Sequence, residues 1–118
     1  MASDRAFRDR VVAQLNQVGD VTARAMFGGY GLYIDGIMFA LIAYDTLYFK
    51  VDNNNLSDFL QFRMPPFTYM GKHKPIQMSY YQLPQAVFED VVELATWVEK
   101  AKNAARLAAK KRGRSRKG

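Results

Sequence analysis

Asp35-Gly36 pins the middle of this chain. It separates Tyr30-Gly31-Leu32-Tyr33-Ile34 from the apolar run Ile37 to Ala43. A two-residue connection between alternating hydrophobics asks for left-handed backbone at both of its positions, which Asp-Gly adopts at little cost. The two runs therefore read as one hairpin. A second turn, Tyr44-Asp45-Thr46, leads into Leu47-Tyr48-Phe49-Lys50-Val51, where apolar residues alternate again. Connections this short make the three strands an antiparallel meander. Ile37 to Ala43 is apolar on both faces and suits a central strand.

Helical signals flank the meander. Phe7, Val11, Leu15 and Val18 form one apolar stripe behind a cap at Ser3 or Asp4, and Gly19-Asp20 ends it. Asn53-Asn54-Asn55 supplies a cap for a short helix through Leu56, Phe59, Leu60 and Phe62, which Pro65-Pro66 terminates. Phe67 to Met70 and Ile76 to Leu83 read as two further strands around the polar loop Gly71 to Pro75. Asp90 and Glu93 make a capping-box start for a long helix. Its apolar stripe is Leu94, Trp97, Val98, Ala101, Ala104, Ala105 and Ala108, and Gly113 is its stop. The predicted order is α-β-β-β-α-β-β-α: a two-layer α+β domain with an antiparallel sheet of about five strands. It spans residues 1–109, and 110–118 read as a basic disordered tail.

Composition removes several classes of function. Among 118 residues there is no cysteine, so thiolate nucleophiles, disulfides and cysteine zinc sites are out of reach. Five charged residues within the first ten leave no room for a signal-peptide core. The longest apolar run is far short of the roughly 20 residues of a membrane helix, and the expected location is cytoplasmic. Residues 1–99 hold 8 Lys and Arg against 11 Asp and Glu, whereas residues 100–118 hold 9 Lys and Arg and no acid. The net charge of +6 thus belongs to the C-terminus.

Three spaced pieces of sequence carry a family resemblance. They are Ala25-Met26-Phe27-Gly28-Gly29-Tyr30-Gly31-Leu32-Tyr33 with Asp35-Gly36; Tyr48-Phe49-Lys50-Val51-Asp52 with Pro66-Phe67-Thr68-Tyr69; and Met78-Ser79-Tyr80-Tyr81-Gln82-Leu83-Pro84 with Glu89-Asp90 and Trp97. In this order, over residues from about 20 to 100, they resemble the N-terminal domain of the TfoX/Sxy family of bacterial competence regulators. The resemblance implies the fold. It also implies a regulatory role alongside a cyclic-AMP-responsive transcription activator, although family members with that role carry a second, helical domain. It supplies no catalytic residue to carry over.

The residues themselves point to surfaces. Met26, Phe27, Gly28, Gly29 and Gly31, with Asp35 and Gly36, form the structural motif. A phosphate-cradling reading of the glycines fails because a strand follows them, not a helix. His73 is the one histidine and too few ligands accompany it for a metal, so neither metal nor cofactor is expected. Asp35 and Asp45 fall at turns, and nothing pairs Asp35, Asp45, Asp52 or Asp58 for acid–base work.

Alternation turns Tyr30, Leu32, Ile34, Ile37, Phe39, Leu41, Leu47 and Phe49 toward the helices, and Tyr33, Met38, Ala40, Ile42 and Tyr48 away from them. Either a helix covers that second face, or Tyr33, Met38, Ile42 and Tyr48 form a homodimer or partner interface; a base-stacking platform through Tyr33 and Tyr48 ranks below both. Lys102, Arg106, Lys110, Lys111, Arg112, Arg114, Arg116 and Lys117 are candidate phosphate contacts, or a solvated helix end. Membrane attachment is not expected. The expectation is a non-enzymatic regulatory module, homodimeric, acting through protein contacts that include a transcription activator. The alternatives are nucleic-acid binding through the basic end and a small-molecule enzyme.

Overall fold

The computed structural model describes residues 4–26 and 28–117, with side chains through 111. Helix α1, Arg5–Leu15, begins at Asp4, whose carboxylate accepts the Ala6 amide at 3.1 Å, and buries Val11 and Leu15. The Asn16 side-chain oxygen then accepts the Val21 amide at 2.8 Å and turns the chain into β1, Thr22–Met26. The sequence signal for this strand is weak, since the alternating apolar positions of Thr22-Ala23-Arg24-Ala25-Met26 are alanines and no aromatic residue is present. It exists because it pairs with β2, Gly29–Ile34, from Thr22↔Tyr33 to Met26↔Gly29; pairing overrides local preference. The sheet therefore has six strands where about five were expected.

The meander follows as β2, β3 (Ile37–Ala43) and β4 (Thr46–Lys50). Asp35 and Gly36 sit at φ 54° and 76°, the left-handed pair the dipeptide predicts. The next hairpin is also a two-residue turn, and Tyr44 and Asp45 both stand at φ 54°. Helix α2 is Leu56–Gln61. Asn55 does not cap it with its side chain, contrary to expectation. The side chain is buried, accepting the Asp52 amide at 2.8 Å and donating to the Lys50 carbonyl at 3.1 Å, and so closes the turn leaving β4. Strands β5, Pro66–Met70, and β6, Pro75–Gln82, return to the sheet with β6 against β4, giving the order β1-β2-β3-β4-β6-β5.

A single irregularity in β3 decides what each face carries. Leu32 pairs with Ala40 but Tyr33 pairs with Met38, so Phe39 has no partner. This is a β-bulge, and beyond it the alternation slips by one residue. Phe39, Ala40 and Ile42 are all buried with the core, and Leu41 turns to the other side, where its cross-strand partners are Gly31 and Tyr48. The sequence reading, which assumed strict alternation, had Ala40, Leu41 and Ile42 reversed. Ile42 is 1% exposed and is corrected from the second face to the core.

The helices cover one face. After the four-residue α3, Gln85–Phe88, helix α4 runs from Val91 to Lys117. Asp90 caps it, accepting the Val92 and Glu93 amides at 3.1 and 3.2 Å. Leu94, Trp97, Val98, Ala101 and Ala105 pack with Leu32, Phe39, Phe49 and Phe59 into the core. Phe39 and Phe49 meet edge-to-face at 5.6 Å, and Phe59 meets Trp97 likewise at 4.8 Å. Lys100 pairs with Asp58 at 2.9 Å and ties α4 to α2. The helix passes Gly113, which sequence analysis takes as its stop. Glycine costs a helix roughly 1 kcal/mol, and the Lys and Arg around it are good helix formers.

Two substitutions probe this core. Phe49→Ala should destabilise the fold by about 3–5 kcal/mol, and Asn55→Ala, which leaves buried backbone groups unpaired, by about 1–3 kcal/mol. Denaturant titration followed by fluorescence of the single tryptophan, Trp97, measures both.

Candidate functional site

The face of the sheet away from the helices forms a groove. Its lining comes from Met26, Gly28 and Gly29 at one edge, Met38, Leu41 and Ala43 in the middle, and Phe67, Tyr69 and Met78 at the other edge. Strands β1 and β5 are the two ends of the sheet. Laid flat, six strands would hold them about 24 Å apart. Both border one groove of about 510 Å³, so the sheet curls into a trough. That volume is typical of binding clefts, and the walls are almost wholly apolar.

Its floor and rim follow from particular residues. A Cβ on Gly31 would lie 2.9 Å from the Met26 sulfur and 3.1 Å from the Met38 sulfur, so both thioethers converge over the space a side chain would take. A Cβ on Gly29 would overlap the Ile42 carbonyl oxygen. The Gly-rich motif therefore serves close approach of backbone and methionine and makes no phosphate loop. Met26, Met38 and Met78 give the trough flexible, polarisable walls that adapt to an occupant. Tyr44 stands at the rim, 61% exposed, on left-handed backbone that Asn or Gly would adopt more easily.

The β5–β6 hairpin extends the apolar surface. Residues 72–79 are all exposed, and Tyr69, Met70, Ile76 and Met78 present large apolar side chains to solvent, Met70 at 75% exposure. Tyr48 leans on Phe67 with ring centroids 5.0 Å apart at 59°, and Phe67 in turn stacks with Tyr69 at 6.3 Å and 28°. Helix α4 reaches one end of this face, where Ala105, Ala108 and Ala109 come beside Tyr33, Met38, Lys50 and Tyr80.

Of the interface residues expected from sequence, Tyr33, Met38 and Tyr48 share the open face and Ile42 borders the trough from the core side. Leu41, Tyr44, Phe67, Tyr69 and Met78 were missed. The alternation Phe67-Tyr69 and Ile76-Met78-Tyr80 is a signal that would have found most of them. Phe27, in the structural motif, lies outside the described residues.

The basic residues sit elsewhere, on α4. Lys102 pairs with Glu99 at 3.5 Å and Arg106 donates to the Asn103 side chain at 2.9 Å, while Lys110 and Lys111 are exposed. Arg112, Arg114, Arg116 and Lys117 lie on the same helix, and their side chains are outside the described ones. The carboxylates are engaged in structure: Asp45 accepts the Asp4 amide, Asp52 accepts the Asn54 amide, and Asp58 holds Lys100. Among the described residues no group of three His, Cys, Asp or Glu is arranged to hold a metal, and no helix is long and apolar enough to cross a membrane.

Burial, opposed in part by a hydrogen bond with Thr46, pushes the Tyr48 hydroxyl above the ordinary tyrosine value. The folded state therefore favours the neutral phenol. That contribution is complete below the unfolded tyrosine pKa of about 10 and is lost as pH rises through the higher folded value. Wild type should lose stability relative to Tyr48→Phe over that alkaline range, as read by unfolding at stepped pH. In a second test, Gly29→Ala should lower stability measurably, because the strand backbone at Ile42 must move to admit the methyl group.

Curated protein sequences give no match to the chain. A sequence-family model described as the TfoX N-terminal domain matches residues 13–105, covering the span from α1 to the last buried turn of α4. That match covers well over half of the chain, and the chain belongs to the TfoX N-terminal domain family.

Proposed function

We propose that this protein is a non-catalytic regulatory module that acts through protein contacts at the open sheet face, in the transcriptional setting the family suggests. The observation that carries this reading is the apolar trough continued by the exposed β5–β6 hairpin. A contiguous apolar surface of this kind marks an interaction site. A homodimer through the same face is one form this reading takes, and a transcription activator is another.

The test is genetic. Met78→Asp places a charge on the exposed wall of the trough at little cost to folding. In the native cell it should reproduce the transcript changes of a deletion strain, with protein levels unchanged. Wild-type transcripts in that strain would refute the reading, as would a purified protein that turns over a substrate.

A second reading, nucleic-acid binding through the end of α4, rests on the 9 Lys and Arg and no acid in residues 100–118. If about four phosphates were neutralised, affinity for duplex DNA would fall with roughly the 3.6 power of salt concentration. Removing residues 110–118 should then abolish DNA retention at low salt. Retention that survives the truncation contradicts this second reading.

A further inference from the structure

The helices of this protein carry both signs of charge, but the strands carry one. The six strands contain no Asp or Glu, and their only charged residues are Arg24 and Lys50. Both lie on the open face: Arg24 pairs across the sheet with Gly31, and Lys50 with Tyr80. Arg24 is exposed and its guanidinium lies 5.4 Å from the Tyr33 ring centroid, while the Lys50 amine donates to the Ser79 hydroxyl at 2.7 Å. Lys72 and Lys74 are exposed in the loop of the β5–β6 hairpin beside the trough. The 11 carboxylates fall instead on helices, caps and turns. An acidic body thus turns one apolar face with a wholly cationic strand layer to solvent.

We infer that the trough takes an acidic amphipathic segment of a partner protein, whose apolar side chains fill the methionine-lined floor and whose carboxylates meet Arg24, Lys50 and the hairpin lysines. This rests on the reading of the open face as a protein-docking surface and adds the chemistry of its occupant. Complementary charge around an apolar centre sets which partner is admitted and how fast it arrives. A second copy is the poorer occupant. A two-fold interface lays the same patch on itself, and here that patch bears cations only. Single-stranded nucleic acid is also poorer, because such binders run a continuous basic groove along the backbone, whereas residues 1–99 hold 8 Lys and Arg against 11 Asp and Glu.

The experiment is a random-peptide display selection against the full chain, with counter-selection on Met78→Asp. Peptides that depend on Met78 should be enriched in Asp and Glu together with Leu, Phe, Met or Trp. The consensus peptide, measured by fluorescence anisotropy, should bind wild type and weaken roughly ten-fold or more with Arg24→Glu. Its affinity should fall with salt, and an oligo(dT) strand should not displace it. Unchanged circular dichroism and melting of both variants keep the comparison one of binding.

Met78-dependent peptides without acidic bias, or equal binding to Arg24→Glu, overturn the acidic occupant and leave the docking face standing. Displacement by oligo(dT) overturns it in favour of nucleic acid. A wild-type dimer in sedimentation that Met78→Asp makes monomeric overturns it in favour of a second copy. Peptides that bind Met78→Asp as well as wild type overturn both the occupant and the docking face.

Discussion

One unpaired residue in the central strand, Phe39, sets the identity of both layers. By skipping a partner between Leu32↔Ala40 and Tyr33↔Met38, it puts Phe39 and Ala40 on the same side and exchanges Leu41 with Ile42. The core gains a large ring against Phe49 and the small Ala40 beside it, which leaves room for α4 to pack. The open face gains Leu41 as the centre of its trough. A bulge also bends and twists its strand, and the curl that brings Met26 and Phe67 to one groove is of that kind. Core packing and the Leu41 floor of the trough thus trace back to this irregularity, and a second one, between Pro66 and Thr68 in the β5–β6 ladder, falls at the Phe67 wall.

That surface combines properties that a freely solvated sheet face does not need. It is concave, walled by three methionines, and rimmed by a tyrosine on left-handed backbone. Beside it stands a hairpin whose outer half is exposed on both faces. One-signed charge on the sheet completes the arrangement: carboxylates serve as caps, turn locks and the Asp58–Lys100 tie, and the strands carry only the cations Arg24 and Lys50. Recognition by such a surface draws on apolar contact for affinity and on charge for selection.

Much of this was legible in the chain. Asp35-Gly36 gave away its hairpin because both positions need left-handed backbone, and Asp90 gave away the start of α4 because its carboxylate accepts free helix amides, whereas Glu93 accepts the Trp97 indole N–H and does not close the expected capping box. Leu47, Tyr48 and Phe49 alternate as they read. What escaped were features fixed by distant partners. Strand β1 has only a weak local pattern and exists through its ladder with β2. The bulge at Phe39 is invisible in a run apolar at every position, so Ile42 was assigned to the wrong face. Asn55 has the composition of a cap, yet the Asp52 amide and Lys50 carbonyl claim its side chain. The trough was hidden for the same reason, since one of its two edges comes from Phe67, Tyr69 and Met78, far along the chain from Met26. The basic run was plain in composition, but its continuation as helix past Gly113 was not.

The central claim is that the trough side of the sheet, and not the helix side, is the working surface. Site-specific photo-crosslinking in the native cell measures this directly, with the reactive residue placed at Tyr44 on the trough rim or at Val92 on the exposed side of α4, which is 79% exposed. The account predicts discrete adducts from position 44, lost when Met78→Asp is added, and none from position 92. Adducts from position 92 alone, or the same adducts from both positions, would contradict it.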